Sequence, residues 1–291
     1  MKRLINFCLS LCLITLYNHI HAQEELPTYL GDNFSLEGAL DVFKNSPSLD
    51  EFEIQLNKQD ADVNNLDLNE DGDVDYIRVE EHMKGNVHAI ILQALISEKE
   101  SQDIAVIEIE KTGEESATLQ IVGDNYLYGD DYFIEPFEEV AISTGKGGPS
   151  ADYFVTRILV NVWFWPSVRH IYRPNHLVYR SPFGWSVYPR LWRPWRPLNW
   201  SVYNGNRIRY NRYYHPVRTR RVVNARTIYT PKRRFSPIVA KRSKSVTRVR
   251  KTKNGNTVVK KTTSNKKINN NKVKRAKSKK VKKRVNKRKG N

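Results

Sequence analysis

From Tyr153 to Asn291 this chain carries no carboxylate side chain. Residues 1–150 hold 30 Asp and Glu against 9 Lys and Arg, whereas residues 151–291 hold 40 Lys and Arg beside one acid, Asp152. Globular surfaces normally mix both signs, because a one-signed surface repels itself. The second half therefore has to meet negative charge, either on a partner or on its own acidic first half.

Residues 1–22 read as an export signal peptide. Lys2 and Arg3 form a positive start, Leu4 to Tyr17 is an apolar run broken by Asn6, Ser10 and Thr15, and Ala22 is a small residue at a plausible cleavage point. An uncleaved anchor and a lipid-bearing Cys12 are the alternatives. Both cysteines, Cys8 and Cys12, lie in this segment. The mature chain is thus expected to have no disulfide, thiolate nucleophile or Cys-based metal site. No later run is long and apolar enough for a membrane span, so the mature chain is expected to be secreted into the periplasm or onto the cell surface.

Residues 23–145 read as an acidic α+β domain with two N-terminal helices and a small antiparallel sheet. Leu36, Ala39, Leu40 and Phe43 share one helical face, and Pro47 ends that helix. Ser48 with Glu51 opens a second helix carrying Leu49, Phe52 and Leu56. Strand-like runs follow at Val74–His82, Val87–Ile96, Ile104–Glu110 and Ala117–Val122, punctuated by turn residues. The third of these alternates late, as for a strand with one wet face. Short connections imply antiparallel neighbours.

Residues 146–151 read as a Gly-rich linker. Residues 152–237 are rich in aromatics, Arg and Pro, with all six Trp between Trp163 and Trp200. Recurrent Pro favours extended or turn-rich backbone there, laid over the first domain. Residues 238–291 lack aromatics and read as a disordered polybasic tail, with a hairpin between Val246–Lys251 and Thr257–Thr262 as a local option.

The sharpest motif is the run from Asp67 to Asp75. Asp67, Asn69, Asp71 and Asp75 fall at loop positions 1, 3, 5 and 9, Gly72 at 6, and Asp73 at 7 offers its carbonyl. That spacing converges oxygens on a hard Ca²⁺ ion. Position 12, a bidentate Glu in EF-hands, is Arg78, and the following residues read as a strand. The loop thus reads as a weak calcium staple between loop and strand; an ion-free acidic turn is the plain alternative.

The second signal is Arg173 with Trp192, Arg193, Trp195 and Arg196. Guanidinium and aromatic faces suit stacking on sugars, bases or headgroups. They equally suit Arg stacked on Trp and paired to the acidic domain. The third signal is the tail, with Lys279, Lys280, Lys282, Lys283 and Arg284, which fits any anionic polymer through counterion release. The histidines show no HExxH motif and no His–carboxylate pairing; no phosphate loop or triad is legible either.

The Asn65–Val79 run, its later counterparts Gln102–Glu108, Gln120–Asp124 and Tyr128-Gly129, and the Trp192–Pro197 block together resemble a family of exported proteins of Bacteroidetes-type bacteria. The resemblance spans roughly residues 23–235 and implies export and this layout, with no activity to carry over. The expected function is a non-enzymatic envelope-associated protein presenting a basic aromatic surface to lipopolysaccharide, acidic glycan or extracellular DNA. A structural subunit self-associating through its acidic and basic halves, and a polymer-acting hydrolase using a carboxylate pair, are the other classes.

Overall fold

The computed structural model describes residues 27, 29–130, 132–143, 153–243, 247–251 and 257–261. The expected export signal (1–22), the expected linker (146–151) and the tail residues Lys279, Lys280, Lys282, Lys283 and Arg284 lie outside them. Two helices come first, α1 (Leu36–Asn45) and α2 (Leu49–Leu56). Ser35 caps the first by accepting the Gly38 N–H, and Ser48 caps the second by accepting from Glu51. Each cap satisfies a backbone donor that the first helical turn leaves orphaned. Phe43 and Phe52 meet edge to face, with ring centroids 5.3 Å apart, and lock the helices together.

Four strands then run as an antiparallel meander: β1 (Ile77–Lys84), β2 (Val87–Leu95), β3 (Ser101–Gly113) and β4 (Ser116–Gly123). A short helix α3 (Asn125–Tyr128) leads to β5 (Phe133–Ser143). β5 pairs with β4 through Ile134 and Phe133, and with β6 (Tyr153–Leu159) along its later half. β7 (Tyr214–Val217) adds to the other side of β5's first half. The class is mixed α+β as expected, but the antiparallel sheet has seven strands and is not small. The excess comes from β5, β6 and β7, whose Pro136, Pro216 and clustered acids break the apolar alternation that marks a strand in sequence.

Pleat parity explains the burial. On one face Ile77, Val79, Ile90, Leu92, Ile107, Ile109, Leu119 and Ile121 join Leu40, Phe43, Phe52 and Leu56 of the helices in the main core. The other face is also covered. Ala89, Ile91 and Val106 pack there with Tyr229, and Glu108 beside them has no exposure. The expectation of a wet face on β3 is therefore overturned. The cover is chain that follows β7, including α6 (Ala225–Tyr229), whereas α7 (Pro237–Arg242) sends Val239 into the main core.

The aromatic, Arg-rich segment is partly extended, as its prolines require, and partly regular. It contributes β6, β7, α4 (Pro166–Ile171) and α5 (Trp200–Arg207). Val162, Trp165, Val168 and Ile171 enter the main core. The expected tail boundary at residue 238 is overturned by a helix. Ser236 caps α7, Pro237 opens it, and Val239 is fully buried. Beyond it, β8 (Thr247–Lys251) and β9 (Thr257–Lys261) form the antiparallel hairpin noted above. No helix among the described residues is long and apolar enough to cross a membrane.

Candidate functional site

The two halves of the charge pattern meet inside one molecule. Arg220 pairs with Glu108, Arg221 with Glu135, Arg233 with Asp124, Arg242 with Glu70, Arg209 with Asp62 and Arg157 with Glu139. Every one joins a second-half arginine to a first-half carboxylate. Glu108, Asp124 and Glu135 stand on the second face of the sheet or at its end, nearly buried. Burial works against the Arg220 charge, and the Glu108 carboxylate more than offsets it. Arg221 binds Glu135 through two nitrogens and donates its backbone N–H to Gln120. A planar guanidinium satisfies both oxygens of such an acid at once.

The Asp67–Asp75 loop folds as its spacing dictates. Asp67 Oδ2 accepts the Gly72 N–H at 3.0 Å, Asn69 Oδ1 the Asp71 N–H at 3.0 Å, and Asp71 Oδ1 the Asp73 N–H at 2.9 Å. Gly72 has φ +89°, the left-handed backbone for which glycine is suited. Asp75 turns inward and its Oδ2 accepts the Leu68 N–H at 2.6 Å. Burial, with Asp67 and Asp71 nearby, pushes Asp75 up to about 8 despite the Leu68 bond. Asp67 Oδ1 is buried without a hydrogen-bond partner. Crowded carboxylates and an idle inward oxygen fit a cation, so the donor set suits Ca²⁺. Arg78 does not take part: it bonds Gln93 Oε1 across the β1–β2 pair. Arg242 instead lays its guanidinium on the Leu68 and Asn69 carbonyls, beside Glu70.

The Trp-Arg-Pro segment is strapped along the free edge of β1, running opposite to it. Glu81 N–H donates to Tyr179 O, Ser181 N–H to Val79 O, and Val74 N–H to Trp195 O. Trp192 sets its ring edge-on against Tyr76 at 5.1 Å and beside Tyr188 at 4.6 Å. Trp195 lies 6.3 Å from Trp192. These two rings pack on the protein more than they project from it. Arg173, Arg193 and Arg196 are exposed, with no carboxylate partner among the described residues. Arg193 donates only to the Arg190 and Trp192 carbonyls.

Two buried glutamates anchor the strap, and sequence reasoning missed both. Glu53 of α2 accepts from Tyr76 and Ser181 hydroxyls at 2.8 and 2.7 Å, and from Val79 N–H and Tyr179 hydroxyl at 2.9 and 3.2 Å. Burial still holds its carboxyl above the usual range. Glu81 lies between His88 Nδ1 at 2.7 Å and His176 Nε2 at 2.8 Å, and accepts the Tyr179 N–H. Burial pushes Glu81 up, but those bonds together hold it below the usual range. This overturns the expectation of no His–carboxylate pairing. The signal was parity: Glu81 follows Ile77 and Val79 on the core face of β1, where only a partnered acid survives. No family model, curated protein or solved structure matches the chain.

Proposed function

We propose that this is an exported, non-enzymatic envelope protein that binds anionic amphiphiles, lipopolysaccharide above bare glycans or DNA, through the strap along β1 and the basic tail. The carrying observation is the division of labour among its arginines. Arg220, Arg221 and Arg233 after β7 are bound to buried acids on or beside the sheet, whereas Arg173, Arg193 and Arg196 on the strap are exposed and have no carboxylate partner among the described residues. The same strap leaves Leu177 83%, Leu191 93% and Val187 61% exposed. Exposed aliphatics beside free guanidinium groups favour an acylated anion, since flat stacking would call for free rings and Trp192 is committed to Tyr76. The family resemblance to exported proteins supports the location. Six second-half arginines paired with first-half acids within one chain weigh against self-association through the two halves.

In this reading the Asp67–Asp75 loop is a calcium staple. Asp67, Asn69, Asp71 and the Asp73 carbonyl hold the ion, and Asp75 backs it from inside. The staple fixes the base of the strap, because Val74 within the loop donates its N–H to Trp195 O.

The test is a binding titration of the mature chain against lipopolysaccharide vesicles, duplex DNA and polygalacturonate at rising salt. Vesicles should bind tightest, and an Arg193→Glu/Arg196→Glu variant should lose at least about tenfold at low salt. A Leu191→Ser variant should weaken vesicle binding alone. No binding to any of the three at low salt sinks the proposal.

A further inference from the structure

The Glu81–His88–His176 cluster is a metal site: we infer that it takes one divalent ion of the zinc class, clipping the strap to the sheet. This does not rest on polyanion binding. One carboxylate oxygen and two imidazole nitrogens lie within 4.8 Å of one another, from three chain segments. β1 brings Glu81, β2 brings His88 on the same pleat face, and the loop after α4 brings His176. Their side chains are 0%, 1% and 5% exposed. Two neutral imidazoles and one carboxylate make the borderline donor set that zinc prefers, unlike the all-oxygen loop at Asp67.

One feature goes beyond the hydrogen bonds within the cluster. The carboxylate is oriented from outside it by the Tyr179 N–H, a second-layer bond of the kind that aims a metal ligand. His176 Nδ1, buried with no partner, is not the ligating atom and carries the ring proton when Nε2 binds the ion.

Binding asks the donors to rearrange, because each nitrogen now stands at hydrogen-bond length from a different oxygen of Glu81, 2.7 Å from Oε1 and 2.8 Å from Oε2. Donors about 2.0–2.2 Å from a tetrahedral ion sit about 3.3 Å from each other, a spreading of about 0.5 Å. On binding, the ring protons leave His88 Nδ1 and His176 Nε2 for the other nitrogen of each ring, and both lone pairs go to the ion. Water or a neighbouring group completes the shell.

The experiment uses the chelator-stripped mature chain. Zn²⁺ is titrated by calorimetry, and Co²⁺ serves as a spectroscopic probe. One equivalent of Zn²⁺ should bind, raise the melting temperature with concentration, and survive millimolar Ca²⁺. His176→Gln and His88→Gln should each weaken it at least tenfold, whereas His215→Gln and Asp71→Ala leave it unchanged. The Co²⁺ spectrum reads ligand number without any substitution, so a variant that fails to fold does not remove the test. A four- or five-coordinate spectrum with nitrogen ligands supports the site. A hexaaquo-like spectrum, no stoichiometric binding, or equal affinity in folded His176→Gln protein overturns it.

Discussion

Replacing Arg220 with Met should be among the most damaging changes available on the second face of the sheet. Glu108 has no solvent exposure and binds Arg220 through Nε at 3.1 Å and through a second, shorter Nη2 contact. Arg220 Nη2 also donates to the Tyr229 hydroxyl at 2.7 Å. Methionine keeps most of the side chain's length but none of its donors. It leaves a buried carboxylate with no cation, a loss of about 3–5 kcal/mol. Urea unfolding followed by tryptophan fluorescence measures this at pH 7. Acid should relieve the penalty. Without Arg220, burial holds the folded Glu108 pKa far above its unfolded value. Variant stability then falls as pH rises from the unfolded pKa to the folded one, by up to about 1.4 kcal/mol per pH unit. The gap to the parent protein is therefore smaller at pH 5 than at pH 7. The double variant Glu108→Leu/Arg220→Met, which removes both charges, should recover most of the loss. A penalty under about 1 kcal/mol for Arg220→Met, or a double variant as unstable as the sum of the singles, would falsify the claim that this pair holds the cover onto the sheet.

Millimolar Ca²⁺ should raise the melting temperature of the mature chain over a chelator-treated sample, and Asp71→Ala should erase the difference; equal melting in both removes the staple. Asp103, 2% exposed and pushed up to about 6 chiefly by burial, should make stability fall by about 3 kcal/mol as pH rises from about 4 to about 6, because the native state holds the proton longer. Asp103→Asn should flatten that slope in urea unfolding across this range. Gly38→Ala should destabilise despite better helix propensity, by about 1–3 kcal/mol, since the new Cβ would stand 2.8 Å from the Tyr210 ring; a gain in melting temperature would refute it. Truncation after residue 243 should leave the urea midpoint unchanged, whereas truncation after residue 235 should lower it by removing Ser236 and buried Val239.

The sequence was most readable where one local rule sufficed. Leu36, Ala39, Leu40 and Phe43 declare a helix face by spacing alone, and Ser48 marks the next start. β1 to β4 showed because turn residues bracket apolar runs. β5 was missed because Pro136 and three glutamates from Glu135 to Glu139 interrupt it, and their partners lie far along the chain. α7 was missed because the basic, aromatic-free composition from residue 238 reads as tail, although Ser236 and Pro237 open the helix. The calcium-type loop was legible as spacing, and its Asx bonds follow that spacing. The Glu81 cluster was not, since His176 comes from 95 positions away, and only the acid's place on an apolar face hinted at it.

The charge segregation posed two options, and the fold meets the acids of the second face from within the chain. Glu108, Gln120, Asp124 and Glu135 on or beside the second face would be costly to bury without partners. Arg220, Arg221 and Arg233 are those partners, supplied about 86 to 112 positions later in the chain. A first half expressed alone would expose this polar face together with Ile91 and Val106, so it should be less stable and more prone to associate than the whole chain. The strap differs in kind. Its grip on β1 comes from backbone bonds, Glu53, Glu81 and the Tyr76 ring cluster, none of which uses an arginine. Arg173, Arg193 and Arg196 are thus free of the structural duty that binds the later arginines. Replacing them should leave folding nearly untouched, whereas replacing Arg220 or Arg233 should not. That contrast separates charge that the fold uses from charge that it leaves free for the proposed ligand.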